Sequence, residues 1–395
     1  MGLIVADDLT GAADACVMFV GYGRSGAVAF EPAAACLRAE WLAFSSDTRR
    51  LPVARAADRV DAVVRDLTQA YVPSIVFKKI DSTLRGHVGP ELVAAMQASR
   101  ARLAIVAPAF PEMGRTVEDG VLTVTGLGSP PPCHVTALLE AQGVDRCWPI
   151  VRPKGGEGEG TSEAWRAAME AAIGNRAQVL VCDGVCAADL DRVVAAVLTL
   201  DGPVLWVGSA GLAGALARRM TAPGTSTDAS TDADGSPRTM GLAGRPDAVI
   251  FMIGSDHPVT IAQQRYLLEA HGAAAVQVGD IDRLLRSLYR GEHLLVNIGP
   301  AVPDEAIARF VRCVVHHSTA GMVLSGGDTA ARVCRILDAT LIDLGSEVSP
   351  GVPWGWLVTR CGWRCRVVLK SGGFGRERAL YDGLLFLTRQ DRQDA

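Results

Sequence analysis

The chain carries a strand-like run with a polar end, Ser74-Ile75-Val76-Phe77-Lys78-Lys79-Ile80-Asp81-Ser82-Thr83-Leu84-Arg85-Gly86. A short apolar run bounded by turn residues predicts a buried β-strand. Arginine offers a planar fork, and lysine a point charge, to a carboxylate or a phosphate. The segment therefore predicts a strand whose end binds a small polyhydroxylated anion. The residues alone leave a second interpretation open, in which Ser82 and Thr83 cap a helix and the charges face water.

Apolar runs of this kind recur along the whole chain. They lie at 3–6, 74–77, 103–106, 179–181, 204–207, 249–253, 294–298, 322–324 and 366–369. Helix-like stretches lie between them, at 52–71, 162–173 and 187–199. This alternation predicts an α/β fold built on largely parallel sheets flanked by helices.

The length of 395 residues favours two domains, each with a core of its own. Between 221 and 245 the sequence is rich in Ser, Thr, Asp and Gly and has little to bury, which predicts a flexible linker. The predicted domains are therefore 1–220 and 246–395. In α/β sheets ligands bind beyond the carboxyl ends of the strands, and we expect a ligand cleft between the two domains.

Composition argues against several classes of partner. The formal net charge is −4 and no basic run resembles a nucleic-acid footprint. No apolar run approaches the roughly 18 residues of a membrane span. The ten cysteines form no CxxC pairs, which is typical of reduced thiols, and the first residues lack the basic start of a secretory signal. We expect a cytoplasmic protein with a small-molecule ligand, no nucleic-acid or membrane partner, and no protein-held metal site.

Two further segments of the first half carry candidate ligand-binding groups. Asp7 and Asp8 follow the first predicted strand and open a helix with Thr10. Thr48 and Arg49 follow another apolar run and could add a third wall to the site. The alternatives are a helix cap at Asp8 with a solvated Asp7, and an exposed turn at Thr48.

The second half contains three Gly/Ser turns, each after a predicted strand, at 253–256, 324–330 and 369–375. Glycine lets backbone amides approach an anion closely, and a following helix adds its positive end, so together the turns predict a polyphosphate site. Each turn alone is better explained as a simple tight turn. A Pro/Gly loop at 347–354 ends in Trp354 and either walls a nucleoside or is a packed surface turn.

Two familiar nucleotide motifs are not supported. Gly21–Gly26 matches G-x-G-x-x-G, but it follows a predicted helix and precedes a strand, the reverse of the dinucleotide-binding order. The sequence has no G-K-[ST], so a Walker A loop is excluded.

Taken together, several segments in chain order resemble the four-carbon acid sugar kinase family. The resemblance rests on residues 7–12, 79–86, 208–213, 325–329, 350–354 and 370–375. It implies ATP-dependent phosphorylation of threonate, erythronate or 3-oxo-tetronate on the terminal 4-hydroxyl. It also implies an N-terminal sugar-acid-binding domain and a C-terminal nucleotide-binding domain.

The resemblance also implies roles for individual residues. The implied catalytic residues are Asp7, Lys79, Asp81 and Arg85, with Asp7 or Asp81 as the candidate base. The implied substrate contacts are Asp7, Asp8, Arg49, Lys79, Asp81, Ser82, Thr83 and Arg85. The implied ATP contacts are Ser255, Gly326, Gly327, Asp328, Thr329, Gly351, Val352, Pro353, Ser371, Gly372 and Gly373, with Mg²⁺ accompanying ATP.

Two other functions remain open at this point. One is an NAD(P)-dependent sugar-acid dehydrogenase, and the other is a sugar-acid-binding protein without catalytic activity. The sequence does not fix the acid or its stereochemistry, and a homodimer is possible.

Overall fold

The computed structural model describes residues 1–31, 39–153, 161–220, 248–271, 273–317 and 319–389. The chain forms two compact units. The first comprises residues 1–28 and 35–225, and the second comprises residues 29–34 and 226–395. The predicted linker at 221–245 lies outside the described residues and stays a prediction.

Strands and helices alternate along the first unit. Its strands are β1 (Gly2–Ala6), β2 (Gly26–Ala29), β3 (Trp41–Ser45), β4 (Ile75–Lys79), β5 (Leu103–Ala107), β6 (Arg115–Glu118), β7 (Val121–Val124), β8 (Cys133–His134), β9 (Cys147–Ile150), β10 (Val179–Cys182) and β11 (Val204–Gly208). Its helices are α1 (Leu9–Val20), α2 (Val53–Tyr71), α3 (Val88–Ser99), α4 (Val135–Ala141), α5 (Ser162–Gly174), α6 (Ala187–Val197) and α7 (Ala210–Met220).

The main sheet of this unit has the order β2-β3-β1-β4-β11-β5-β10-β9, and a small antiparallel sheet joins β6, β7 and β8. Pairing from β3 to β9 is parallel. Because β1 lies between β3 and β4, the chain leaves β1 towards one side and later crosses to the other. Such a switch point leaves a crevice at the carboxyl ends of the strands. The ends of β1, β3 and β4 are therefore where a ligand is expected.

Burial follows the sequence pattern closely. β1 and β5 are buried along their whole length, as expected for parallel strands with helices on both faces. In α2 the buried residues recur every three to four positions and form one apolar stripe. They are Ala56, Val60, Val64 and Leu67.

The second unit also alternates strands and helices. Its strands are β12 (Ala248–Ile253), β13 (Ala274–Val276), β14 (Leu294–Asn297), β15 (Thr319–Ser325), β16 (Ala339–Ser349), β17 (Val352–Thr359) and β18 (Arg364–Lys370). Its helices are α8 (Pro258–His271), α9 (Ile281–Arg290), α10 (Asp304–Val315), α11 (Gly327–Ile336) and α12 (Ala379–Arg389).

Its sheet has the order β13-β14-β12-β15-β18-β17-β16. Pairing is parallel from β13 to β18, whereas β17 is antiparallel to both neighbours. Phe251, Leu295, Val323, Val368 and Leu384 pack in its core. The ends of β12, β15 and β18 are adjacent, because β15 pairs with both of the other strands.

The predicted α/β class is confirmed, and each predicted strand and helix occurs with ends shifted by at most three residues. Gly21–Gly26 runs from the end of α1 into β2, in the helix-to-strand order that the sequence indicated.

The prediction of a loop at 347–354 is wrong. Most of it belongs to the antiparallel hairpin of β16 and β17, with Pro350 and Gly351 between the strands. Pro353 lies within β17, and the register next to its partner Glu347 is irregular. Such irregularity accommodates a residue that has no amide hydrogen to donate.

Within the described residues, none of the helices is both long enough and apolar enough to cross a bilayer.

Candidate functional site

The switch point of the first unit gathers the predicted acidic and basic side chains. Asp7 and Asp8 follow β1, Arg49 follows β3, and Asp81 follows β4. Asp7, Asp8 and Asp81 are each less than a tenth exposed. Asp8 also caps α1, since its Oδ1 accepts from the Gly11 amide at 2.7 Å. The helix cap that the sequence offered as an alternative does not exclude a role in the candidate site, because Asp8 caps α1 and also lies in this cluster.

Arg49 connects the acids. Its Nε and Nη2 donate to the two carboxylate oxygens of Asp7 at 2.7 and 3.0 Å. Its Nη1 donates to Asp8 Oδ2 at 2.6 Å, and Nη2 lies 3.6 Å from Asp81 Oδ1. Burial alone would lower the pKa of Arg49, but the charges of Asp8, Asp7 and Asp81 hold it above its usual value.

Asp81 is held by the turn that follows it. Its carboxylate accepts from Arg85 Nε and Nη2 at 2.9 and 2.8 Å, and also from the hydroxyl of Thr83. Burial would raise the pKa of Asp81, but hydrogen bonds from Arg85 and the charge of Arg49 hold it well below its usual range. The Arg85 side chain is 63% exposed, so its outer edge faces solvent. Ser82 lies in the same turn and is buried.

The two adjacent lysines of the 78–86 segment lie on opposite faces of β4, and only Lys79, the predicted substrate contact, lies at the site. Lys78 Nζ pairs with Glu91 of α3 at 2.8 Å, and both side chains are at most 2% exposed. Successive strand residues point to opposite faces, so Lys79 lies on the other face. Its Nζ donates to the Ile80 carbonyl at 2.9 Å, and no described carboxylate forms an ion pair with it. Lys79 is thus a buried cation that forms no ion pair within the described chain.

Arg115 is a further cation near these acids, and the sequence did not indicate it. It begins β6, is 8% exposed and donates to the Met113 carbonyl. Burial lowers its pKa, while the charges of Asp81 and Asp14 oppose that shift, so it lies within electrostatic reach of Asp81. No local sequence pattern indicates this neighbourhood, since the residues are far apart in the chain.

Three turns converge in the second unit. The Gly254 amide donates to the Ser325 carbonyl at 3.1 Å, and the Gly326 amide to the Lys370 carbonyl at 2.8 Å. A Cβ added to Gly372 would lie 2.2 Å from Ser255 Oγ. The turns after β12, β15 and β18 therefore touch one another, which a common site would require.

Two of the three turns lead directly into the N-terminus of a helix. Gly326 has a φ of +107°, a conformation that favours glycine, and α11 begins at the next residue. Asp328 is exposed in the first turn of α11, whereas Thr329 is buried. The start of α8 lies directly after the first of the three turns. Helix N-termini present unpaired amides and a positive dipole end to an anion.

The β16–β17 hairpin borders the same turns. A Cβ on Gly375 would lie 3.7 Å from Val352 Cγ2, which places Val352 and Pro353 next to the turn after β18. The Gly351 amide donates to Glu347 Oε1 at 2.6 Å, and burial raises the pKa of Glu347.

Trp354 packs over Gly345, and its Nε1 donates to Ser346 Oγ at 2.8 Å. Its indole therefore covers the hairpin, which agrees with the packed alternative more than with a nucleoside wall.

These groups fit a nucleotide and its metal. The amides of Gly372 and Gly373 have no acceptor within the described part of the chain, so they can receive phosphate oxygens. Across the described ranges no cluster of three His, Cys, Asp or Glu side chains is arranged to hold a metal. Mg²⁺ bound through phosphates needs only one or two carboxylates, and Asp256 and Asp328 lie in these turns.

Family models match the two parts of the chain separately. Residues 2–216 match a family described as a sugar-binding N-terminal domain, and residues 291–380 match a nucleotide-binding C-terminal domain. D-Threonate kinase of Cupriavidus necator is 34% identical, with 96% of each chain covered. 3-Oxo-tetronate kinase of Brucella melitensis is 24% identical, covering 96% of this chain and 94% of that one. D-Erythronate kinase of Heliobacterium modesticaldum is 26% identical, covering 95% and 94%.

A solved structure from Salmonella typhimurium shares the fold, with a TM-score of 0.74 at 21% identity over 97% of this chain and 98% of that one. The family match over more than half of the chain, together with the nearly full-length relatives, shows that the chain belongs to the four-carbon acid sugar kinase family.

Proposed function

We propose that the protein is an ATP-dependent kinase that phosphorylates a four-carbon sugar acid of the threonate, erythronate or 3-oxo-tetronate type on its terminal 4-hydroxyl. The observation that carries the acid part of this proposal is Lys79, a cation that is 3% exposed and has no carboxylate partner among the described residues. A buried charge is costly unless it is paired. A carboxylate of the substrate would supply the missing partner.

The first unit would hold the sugar acid. Lys79 and the outer edge of Arg85 would bind its carboxylate, and Asp7 and Asp8 offer acceptors for its hydroxyls. Arg49 would act mainly by orienting the acids, since its donors are already engaged by Asp7 and Asp8. Ser82 and Thr83 complete the predicted set of substrate contacts.

The second unit would hold ATP. The phosphates would lie on the turns that contain Ser255, Gly326–Thr329 and Ser371–Gly373, next to the hairpin residues Gly351, Val352 and Pro353. Mg²⁺ bound with the phosphates would neutralise their charge, and Asp256 or Asp328 would supply a ligand to it.

In the reaction, the substrate hydroxyl oxygen forms a bond to the γ-phosphorus of ATP while the bond to ADP breaks. Such transfers depend on positioning and charge stabilisation more than on a strong base. Asp81 is poorly suited to accept the hydroxyl proton, because Arg85 and Arg49 hold its pKa low. We assign it to anchoring these arginines, and we keep Asp7 as the candidate acceptor for the proton.

The test is ADP release from Mg-ATP across a panel of D- and L-threonate, D- and L-erythronate and the 3-oxo-tetronates. We expect saturable turnover with one acid far above the others, and a product whose 31P–1H couplings place the phosphate on carbon 4. Four-carbon polyols without the carboxylate serve as matched controls, and we expect little turnover with them, since they cannot pair with Lys79.

Other outcomes would identify the alternatives. Acid binding and nucleotide binding without turnover would indicate a binding protein, and acid-dependent reduction of NAD(P) would indicate a dehydrogenase. Absence of nucleotide binding by the folded protein would refute the kinase proposal itself.

A further inference from the structure

We propose that Lys370 is a positioning residue that holds the turn Ser371–Gly375 from behind, so that the amides of the turn face the phosphates while its own ammonium group does not touch them. The inference rests on the proposed function, because it takes the ligand of this turn to be a nucleotide. It adds a role that neither the motif nor the position of the lysine indicates.

Lys370 is directed into the protein. It is the last residue of β18 and its side chain is fully buried. Its Nζ lies within hydrogen-bonding distance of three carbonyl oxygens of the turn, those of Ser371 (2.9 Å), Gly372 (3.2 Å) and Phe374 (3.2 Å). It also donates to Thr260 Oγ1 at 3.2 Å. An ammonium group has three N–H bonds, so these contacts use its whole donor capacity.

Two residues of α8 reinforce the same contacts. Thr260 Oγ1 donates to the Gly372 carbonyl at 2.7 Å. Gln263 Nε2 donates to the carbonyls of Phe374, Gly375 and Arg376 at 3.1, 3.1 and 2.8 Å. Both side chains are fully buried. Donors from β18 and from α8 therefore draw the carbonyls of the turn inward.

The direction of the amides follows from peptide geometry. The peptide bonds of the turn are trans, and in a planar trans peptide the C=O of one residue and the N–H of the next point in opposite directions. Inward carbonyls at Ser371, Gly372 and Phe374 therefore send the amides of Gly372, Gly373 and Gly375 outward. These three amides have no acceptor among the described residues. Outward amides on glycines form a concave anion site.

This arrangement differs from that of a lysine that binds phosphate directly. Burial lowers the pKa of Lys370 to about 7, and no nearby carboxylate opposes that shift. A direct phosphate contact would require the ammonium group to abandon carbonyls that it already satisfies. The geometry therefore gives Lys370 an indirect role.

The test compares three variants by MgADP binding, sugar-acid binding and steady-state kinetics. Lys370→Met removes the ammonium group, and Gln263→Met removes the second donor set at similar volume. Lys78→Met is the matched control, because Lys78 is also fully buried and near a strand end but contacts Glu91 in the first unit. We expect Lys370→Met and Gln263→Met to weaken MgADP binding roughly ten- to a hundredfold. Sugar-acid affinity, and kcat at saturating ATP, should change less than threefold.

Each contrary outcome has a definite meaning. MgADP binding by Lys370→Met at wild-type affinity, or a loss equal to that of Lys78→Met, would overturn the proposal. A large fall in kcat with unchanged MgADP affinity would also overturn it, since Lys370 would then act on the reacting phosphate. If Lys370→Met does not fold, Gln263→Met decides, and unchanged MgADP affinity of that variant would overturn the proposal. Failure of the wild-type protein to bind MgADP would instead refute the proposed function.

Discussion

The adjacent residues Lys78 and Lys79 have opposite environments, and the alternation of strand side chains explains the difference. Lys78 points towards α3 and pairs with Glu91 inside the unit. Lys79 points to the switch point, where it forms no ion pair with a described residue. A sequence motif that contains both lysines therefore contains one structural cation and one candidate ligand-binding cation.

Replacing Lys79 by Met should raise KM for the sugar acid roughly ten- to a hundredfold, because a charge-assisted hydrogen bond to its carboxylate is lost. MgADP affinity should not change, since the proposed nucleotide contacts lie in the second unit. Steady-state kinetics with each substrate varied in turn, together with MgADP titration, would check both statements.

Lys78→Met is the control for removing a buried ammonium group. It should leave KM for the acid near the wild-type value but lower the free energy of unfolding by roughly 3 kcal/mol, since Glu91 is left buried without its partner. Equal KM changes in the two variants would remove Lys79 from acid recognition.

Asp81 shows why residue type does not define a role. From sequence it was a candidate base beside two cations. In the structure it accepts hydrogen bonds from Thr83 and Arg85 and lies near Arg49, and these groups stabilise its ionised form. The same contacts that keep Asp81 charged make it a weak proton acceptor and a strong anchor.

At the scale of elements, α7 shows how a glycine motif acts through packing. Ser209 Oγ donates to the Ala109 carbonyl at 2.6 Å, and it accepts from the Gly211 amide at 3.1 Å. A Cβ on Gly211 would lie 2.5 Å from the Ala109 oxygen and 3.0 Å from Phe110 Cα. The start of α7 is therefore packed against backbone that follows β5.

Gly211→Ala should lower the free energy of unfolding by roughly 1–3 kcal/mol, because the clash is with backbone and the strand end must shift. Gly214→Ala in the same helix is the matched control: its nearest neighbour, Met18 Sδ, would be 3.5 Å away. That change should stabilise by up to about 1 kcal/mol through helix propensity. Denaturant unfolding of both variants would check the sign, and equal effects would contradict the packing argument.

The helices and strands that could be predicted from sequence are those whose hydrophobic pattern is complete within the element itself. Buried parallel strands such as β1 and β5 are continuous apolar runs, and α2 has a clear apolar stripe. The hairpin of β16 and β17 was missed because Pro350 and Pro353 resemble loop residues, whereas a register irregularity beside Glu347 accommodates Pro353 within a strand. That irregularity depends on how the two strands pair, and it cannot be predicted from the residues next to Pro353 in sequence.

At the scale of the whole molecule, the meeting of the polar strand ends was predictable, whereas the directions in which their side chains point were not. Polar residues at the ends of β1, β3 and β4 were expected to meet because sheet topology brings those ends together. The donors from α8 to the turn after β18 were not foreseen, since Thr260 and Gln263 lie more than 100 residues from that turn and resemble ordinary helix residues. The contribution of Arg115 was missed for the same reason.

The division of labour between the two units can be tested on the intact protein by hydrogen exchange with each ligand alone. The sugar acid should slow exchange within 7–11 and 79–86 roughly tenfold or more, because a bound anion would hold the backbone of these segments in place and reduce its local opening. MgADP should slow exchange within 254–257, 326–329 and 371–375, most strongly at Gly372 and Gly373, whose amides have no acceptor among the described residues. Helix α5, remote from both sets of strand ends in sequence, serves as the internal reference. Slower exchange within 371–375 on addition of the acid, or within 79–86 on addition of MgADP, would contradict the proposed assignment of the two ligands to the two units. Each segment would then be protected by the ligand assigned to the other unit.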